Sequence, residues 1–371
     1  MITPQLEKDL NYTFEKLSEV EKKKFSDATI LITGSAGTMG FYITHFFYKF
    51  RNELRIKKLI CLDNFIVGKP EWIENLSDDR IEFKTFDVIH DKIEDIPEAA
   101  NVDFVLHMAS IASPTFYRKY PVETIEANVW GLRRLLDFYK GKNLSGFLFF
   151  STSEIYGNPS PENVPTDEDY NGDVSCTGPR SCYDESKRFG ETMCKYFSQE
   201  YKLPISVVRL FNTYGPGMKI NDKRVVADFA NNIFESKDIE ILSNGAPTRT
   251  FCYIADSVAG CLKVLLLGKY DYFNIGIDKP EISISQLAEI YCKAGQKIFN
   301  YAGKINYATS EEKDYLTDNP QRRCPKIDKA RNILGYNPEI LVEEGVERFL
   351  QFIKENSYMG EGHRKYSMVI W

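Results

Sequence analysis

The chain has 371 residues, with 47 Lys and Arg against 53 Asp and Glu, a formal net charge of −6, and 43% hydrophobic residues. That length allows two or three units, or one large α/β body with an appended lobe. The mild acidity gives no electrostatic footprint for nucleic acid, and no apolar run reaches the ~18 residues of a membrane span.

Residues 1–26 are polar with an apolar stripe at Leu6, Leu10, Phe14 and Leu17. This spacing predicts a helical extension docked on the body, with an oligomer contact as the alternative reading. Lys22, Lys23 and Lys24 then form a solvated helix end. The segment lacks the apolar core of a secretory signal. The eight cysteines (61, 176, 182, 194, 252, 261, 292 and 324) form no CxxC pair and read as reduced thiols of a cytoplasmic protein. The four histidines (45, 90, 107 and 363) are scattered, so no metal site is expected.

Short, β-branched apolar runs follow at 28–33, 58–63, 103–107, 146–151 and 204–210. Such runs mark buried parallel strands. Between them lie helical stretches, such as Val122 to Tyr139 with Ile125, Val129, Leu132, Leu135 and Leu136 apolar. Strands alternating with helices predict an α/β fold, a Rossmann-type doubly wound parallel sheet. After residue 211, loops alternate with helices predicted at 222–236 and 283–294. The expected division is a helical extension over 1–26 and a dinucleotide-binding domain over 27–210, to which 250–280 returns. A smaller, interleaved C-terminal α/β substrate lobe takes 211–249 and 281–354. Residues 355–371 are expected to form a flexible tail, with docking of its Met-Val-Ile-Trp end as the alternative.

Thr33-Gly34-Ser35-Ala36-Gly37-Thr38-Met39-Gly40 follows the first strand directly and opens a helix. One glycine makes the tight turn, one lets a pyrophosphate approach the backbone, and one permits close helix–strand contact. The helix N-terminus offers unpaired N–H groups to phosphates. Asp63 ends the second strand, 23 residues past Gly40, where a carboxylate binds both ribose hydroxyls. Asn64 and Phe65 follow it, not arginine, so NAD is expected over NADP. Asp87, in Phe86-Asp87-Val88 between the runs at 58–63 and 103–107, is placed to accept from the adenine amino group.

Tyr183 and Lys187 are four residues apart, which puts phenol and ammonium on one helix face. The lysine charge, with the nicotinamide ring, is expected to lower the tyrosine pKa, so that Tyr183 takes a proton from a sugar hydroxyl. Ser151-Thr152-Ser153-Glu154 lies at the carboxyl end of the 146–151 strand, where ligands of open α/β sheets bind. Thr152 would hydrogen-bond the reacting hydroxyl, and Ser153 and Glu154 would face the sugar.

Together these motifs resemble the extended short-chain dehydrogenase/reductase (NAD-dependent epimerase/dehydratase) superfamily, and within it the branch that decarboxylates UDP-glucuronate to UDP-xylose. The resemblance runs from about residue 28 to 352. It is most specific at His107-Met-Ala-Ser-Ile-Ala-Ser-Pro114, Thr152-Ser-Glu-Ile-Tyr-Gly157, Arg180-Ser-Cys-Tyr-Asp-Glu185, Arg209-Leu-Phe-Asn-Thr-Tyr-Gly-Pro216, Arg224-Val-Val226, Thr248-Arg249-Thr-Phe251 and Asn319-Pro-Gln-Arg-Arg323. It implies a redox-neutral cycle through a 4-keto sugar, with Thr152, Ser153, Glu154, Tyr183 and Lys187 catalytic. It implies cofactor contacts at Gly34, Gly37, Thr38, Met39, Gly40, Asp63, Asn64, Phe65, Asp87, Val88, Ala109, Thr124, Tyr183 and Lys187. Ser113, Arg180, Asn212, Arg224, Arg249 and Arg323 would hold the nucleotide-diphosphate sugar; guanidinium forks match phosphate bidentately. It also implies a homodimer paired through the helices at 122–139 and 183–196.

The chain departs from the family at Ile111, usually proline, and at Glu123 and Glu126, usually lysine. It has Leu242 where an aromatic often stacks on the base. A nucleotide-sugar 4-epimerase, C4 oxidase or 4,6-dehydratase therefore stays open, as does a non-catalytic NAD-binding protein.

Overall fold

The computed structural model describes residues 2–66, 68–219, 222–310 and 317–358. The Met-Val-Ile-Trp end lies outside the described residues, while 355–358 continue a helix over Val342–Tyr358 rather than opening a tail. Seven parallel strands form one sheet: β1 (Thr29–Thr33), β2 (Lys58–Asp63), β3 (Ile81–Thr85), β4 (Phe104–His107), β5 (Gly146–Thr152), β6 (Ile205–Leu210) and β7 (Asp271–Ile275). Their order is β7-β6-β5-β4-β1-β2-β3. Every residue of β1, β4 and β5 is buried, as expected of strands covered on both faces. The edge strand β3 is half-buried, and its Ile-Glu-Phe-Lys-Thr sequence alternates accordingly.

The chain runs outward from β1 to β3 and then returns to β4 on the other side of β1. A crevice opens at this switch point, beyond the carboxyl ends of β1 and β4. Gly34 sits there at φ +74°, and a Cβ on it would lie 2.7 Å from the Ala109 nitrogen. A Cβ on Gly40 would lie 2.4 Å from the Gly34 oxygen, so the following helix, Thr38–Lys49, sits directly against the turn.

The smaller lobe contains the helices Val225–Phe234 and Ile284–Phe299, the first shorter at both ends than the expected 222–236 and the second running past the expected end at 294. It also contains a three-stranded patch in which Thr248–Arg249 lies between Ile282–Ser283 and Arg322–Arg323. Its parallel register sets Arg323 beside Arg249.

The stretch expected as one helix from Val122 to Tyr139 is interrupted. A π-helical turn over Glu126–Gly131 separates Pro121–Ile125 from Leu132–Tyr139. Such single π-turns frequently mark functional sites. Here Asn128 in the turn donates to the Ser186 hydroxyl (2.9 Å) on the helix Ser181–Tyr201.

The N-terminal extension is two helices, Pro4–Glu15 and Glu19–Lys23, because Ser18 and Glu21 form a capping box that restarts the chain. Leu17 is buried beyond the break, not on the first helix face. Lys23 is exposed, but Lys24 donates to the Leu266 carbonyl (2.8 Å), so the lysine run is only partly solvated. Buried polar contacts fasten the extension to the body. Asp9 pairs with Arg348 (2.7 Å) and accepts from the Tyr253 hydroxyl (2.6 Å), and Tyr12 donates to Asp256 (2.6 Å). Among the described residues, no helix is long and apolar enough to cross a membrane, and no group of three or more His, Cys, Asp or Glu could hold a metal ion.

Candidate active site

A cavity of about 680 Å³ runs from the glycine turn, past the carboxyl ends of β4 and β5, to the arginines of the smaller lobe. At its first end, Gly34, Gly37, Thr38, Met39 and Gly40 form the wall. The helix behind them has Gly37 at its N-cap and no side-chain cap, so its free N–H groups meet the cavity. The Ser110 hydroxyl, also on the wall, is buried without a partner. This end fits the pyrophosphate and ribose of a dinucleotide.

Asp63 receives the backbone N–H groups of Ala36 and Phe65 (both 2.9 Å), which ties the glycine turn to the end of β2. Burial raises its pKa, and those two donors and Lys219 oppose the rise. Asn64 donates to Asp87 (3.2 Å), and Asp87 also accepts from the Ile89 N–H (2.8 Å). Asp87, Val88 and Ala109 line the cavity. Two expected cofactor contacts do not. Phe65 turns back at φ +53° with its N–H on Asp63. Thr124 is fully buried, and its hydroxyl donates to the Tyr120 carbonyl within its own helix (2.7 Å).

The centre of the cavity holds the tyrosine and lysine. Tyr183 is hydrogen-bonded to Thr152, and its ring stacks on Tyr117 with centroids 5.0 Å apart. The Lys187 ammonium donates to the Phe150 carbonyl (2.7 Å) and lies 5.8 Å from the Tyr183 ring centroid. The expected lowering of the phenol does not arise from this pair alone. Burial pushes the Tyr183 pKa up, with Thr152 opposing. Burial also pulls Lys187 down to about 7, so near neutrality it is only partly charged.

Beyond Tyr183, Ser153 is buried and Glu154 meets the arginines. Arg323 clasps Glu154 through both oxygens, with Nη2 2.6 Å from Oε2, and Arg180 donates to that same Oε2. The guanidinium groups outweigh the burial cost and hold the Glu154 pKa down at about 2. Arg249 also bears on Glu154, but its own donors go to uncharged acceptors: the carbonyls of Thr248 (2.8 Å), Gln321 (3.2 Å) and Pro320, and the Asn319 side chain (3.2 Å). Three guanidinium groups thus surround one carboxylate.

The remaining expected substrate residues also line the cavity. The Ser113 hydroxyl donates to the Asp222 carbonyl (2.7 Å), Arg224 pairs with the Asp222 carboxylate, and Asn212 donates to the Thr250 carbonyl (2.8 Å). The sequence reading missed Tyr117, whose only signal was its place after Ser113-Pro114, and Asp184, overshadowed by the tyrosine before it.

Residues 30–276 match the NAD dependent epimerase/dehydratase family. Among curated proteins, UDP-glucuronic acid decarboxylase 1 of Xenopus tropicalis is 34% identical over 340 residues, covering 91% of this chain and 74% of its own. UDP-glucuronic acid decarboxylase 5 of Arabidopsis thaliana is 33% identical over 332 residues, covering 89% and 91%. Among solved structures, a UDP-glucuronic acid 4-epimerase of Bacillus cereus in complex with UDP-glucuronic acid and NAD superposes with a TM-score of 0.71. It is 25% identical, with 88% of this chain and 99% of that one covered. A UDP-glucose 4-epimerase of Thermotoga maritima, 22% identical with a TM-score of 0.76 over 89% and 99%, shares the fold.

The Lys187 burial makes a prediction about the protein free of dinucleotide. Its folded pKa, about 7, lies below the ordinary 10.5. Its contribution to stability is therefore full at high pH and is lost as pH falls through 10.5 towards 7. Denaturant unfolding at a series of pH values across that window should show wild type losing stability relative to Lys187→Met as pH falls. Parallel curves would contradict it.

Proposed function

We propose, because the chain belongs to the NAD dependent epimerase/dehydratase family, that it uses NAD to convert UDP-glucuronate to UDP-xylose and carbon dioxide. The observation that carries this reading is the surplus of guanidinium charge around Glu154, at the end of the cavity where the sugar would lie. Such a surplus suits a sugar that brings its own carboxylate. The 33–34% identity to decarboxylases supports it over most of the chain.

When bound, NAD supplies a reversible two-electron oxidation of the sugar C4 alcohol. The Tyr183 oxygen, steadied by Thr152, is the acceptor for the C4 hydroxyl proton. Lys187, held on the Phe150 carbonyl, supports the phenolate once the site is charged. A uronic acid with a ketone at C4 is a β-keto acid. Its C5–carboxyl bond breaks to release carbon dioxide, and the electron pair passes into the C4 carbonyl. One proton is then added at C5, so the overall change consumes one proton. Arg323 and Arg249 hold the sugar acid and diphosphate while the arginine-bound Glu154, with Ser153, faces the ring.

Elimination of water from C6 needs a proton donor. A carboxyl held at about 2 is ionised at neutral pH and cannot serve, which disfavours the dehydratase reading. The 4-epimerase reading keeps one observation in its favour. Glu123 and Glu126 line the cavity, and their charges oppose a sugar acid.

The proposed assembly is a homodimer. Val122, Trp130, Phe189 and Tyr196 are large, apolar and exposed, and all lie on the helical segments 121–131 and 181–201, which pack on each other. The proposed location is the cytoplasm, in keeping with eight unbridged cysteines.

Mass spectrometry of wild type with NAD and UDP-glucuronate should show carbon dioxide release and a UDP-pentose. Tyr183→Phe should lose on the order of 100-fold or more in rate while still binding NAD. Unchanged sugar acid, or a UDP-uronate epimer, would overturn the decarboxylase reading. Light scattering should give twice the chain mass for wild type and a single chain mass for Trp130→Glu; a monomeric wild type would remove the dimer.

A further inference from the structure

Glu154 as it stands has both carboxylate oxygens engaged by arginine. A group so held cannot also accept from the sugar ring at full strength. Arg323 is fixed in a strand of the smaller lobe, in register with Arg249. Arg180 is different. It precedes the first turn of the Ser181–Tyr201 helix, and its Nε is buried without a hydrogen-bond partner.

One turn along that helix is Asp184, only 4% exposed. Its Oδ2 lies 3.6 Å from Arg180 Nε, beyond hydrogen-bond distance, and its Oδ1 is buried with no partner. The unpartnered Arg180 Nε thus stops short of Asp184 Oδ2, and the other oxygen of that carboxylate, Oδ1, has no partner either. Buried polar atoms without partners are costly and rare, and a pair of complementary ones is a place where the structure has a second arrangement to adopt. The space for it exists. A second cavity of about 380 Å³ lies on the far side of Arg180, lined by Arg180, Asp184, Asp173, Asp318, Asn158 and Ser175. Arg180 also lines the main cavity, so it borders both.

We propose that Asp184 is a positioning residue that receives Arg180 as the sugar acid enters, so that Glu154 Oε2 is released to face the ring. Arg180 has two carboxylates within ion-pair distance: its Nη2 is on Glu154 Oε2, and its Nε lies 3.6 Å from Asp184 Oδ2. In the structure described, it serves Glu154 and leaves Asp184 under-paired. The Asp184 carboxyl is accordingly raised to about 7, by burial first and then by the charge of Glu154. The incoming sugar carboxylate brings a second negative charge beside Arg323 and Arg249. Moving Arg180 onto Asp184 pairs the buried Asp184 and keeps a cation at the junction, while Arg323 alone retains Glu154. The exchange uses the ionised form of Asp184; where that carboxyl carries a proton, the proton leaves for solvent as Arg180 arrives.

This inference rests on the decarboxylase reading, and the test separates the two. Asp184→Asn keeps size and one acceptor but removes the charge that draws Arg180 away. Its kcat for carbon dioxide release should fall on the order of 100-fold, as for a misplaced reacting group, with KM and NAD binding little changed. In an Arg180→Lys background the same Asp184→Asn change should have little further effect, because the group it receives is already gone. A crystal structure of wild type with NAD and UDP-glucuronate should show Arg180 Nε hydrogen-bonded to Asp184. Wild-type kcat in Asp184→Asn, an equal loss in both backgrounds, or Arg180 still on Glu154 Oε2 in that complex would each overturn the proposal. A wild type that releases no carbon dioxide would instead fail the decarboxylase reading and take this inference down with it.

Discussion

The pairing of Glu154 with Arg323 joins the two lobes at the point where chemistry is expected. Glu154 follows β5 of the main sheet, and Arg323 belongs to the small three-stranded patch of the other lobe. Guanidinium groups hold this half-buried carboxylate ionised, and removing one of them would leave its charge poorly compensated. The same cluster fixes three properties of the site. Glu154 stays ionised, the cavity end carries surplus positive charge, and the lobes are held at one separation.

Behind this cluster, a second buried network steadies β5. Ser151 and Arg209 both bond to Glu191 on the long helix, and Arg209 reaches the Tyr156 hydroxyl (2.7 Å) and the Glu168 carbonyl (2.7 Å). Tyr156 in turn donates to Asn274 on β7 (2.7 Å). The end of β5 is thereby tied to β6, β7 and the Tyr183 helix together. On the other side of that helix, the π-turn contact from Asn128 to Ser186 fixes its rotation. Groups that must meet a substrate within tenths of an ångström are thus carried on elements braced from both sides.

Much of the architecture was legible because its signals are local. Buried parallel strands read as continuous apolar runs, and Gly34 and Gly40 are required by close backbone approaches that no other residue permits. Edge strand β3 was harder, because half-burial dilutes the apolar run. The break after Glu15 went unread, since the Leu6–Leu17 stripe continues through it while the Ser18 capping box restarts the helix. In the site, residue types and spacing located Tyr183, Lys187, Glu154 and the arginines. They did not reveal which charges face one another. The direction of the Tyr183 and Lys187 shifts depends on burial, the clasp on Glu154 depends on the register that sets Arg323 beside Arg249, and Asp184 matters only through its distance to Arg180. Phe65 and Thr124 show the converse: right motif, but side chains or backbone turned to local partners.

The proposed reaction depends on where a sugar acid places its carboxyl group. A crystal structure with NAD and UDP-glucuronate measures this directly. The predicted result has the C4 hydroxyl on Tyr183 and the uronate carboxylate turned to the Arg323 and Arg249 end of the cavity. A carboxylate directed away from those arginines, towards Glu123 or open solvent, would contradict it.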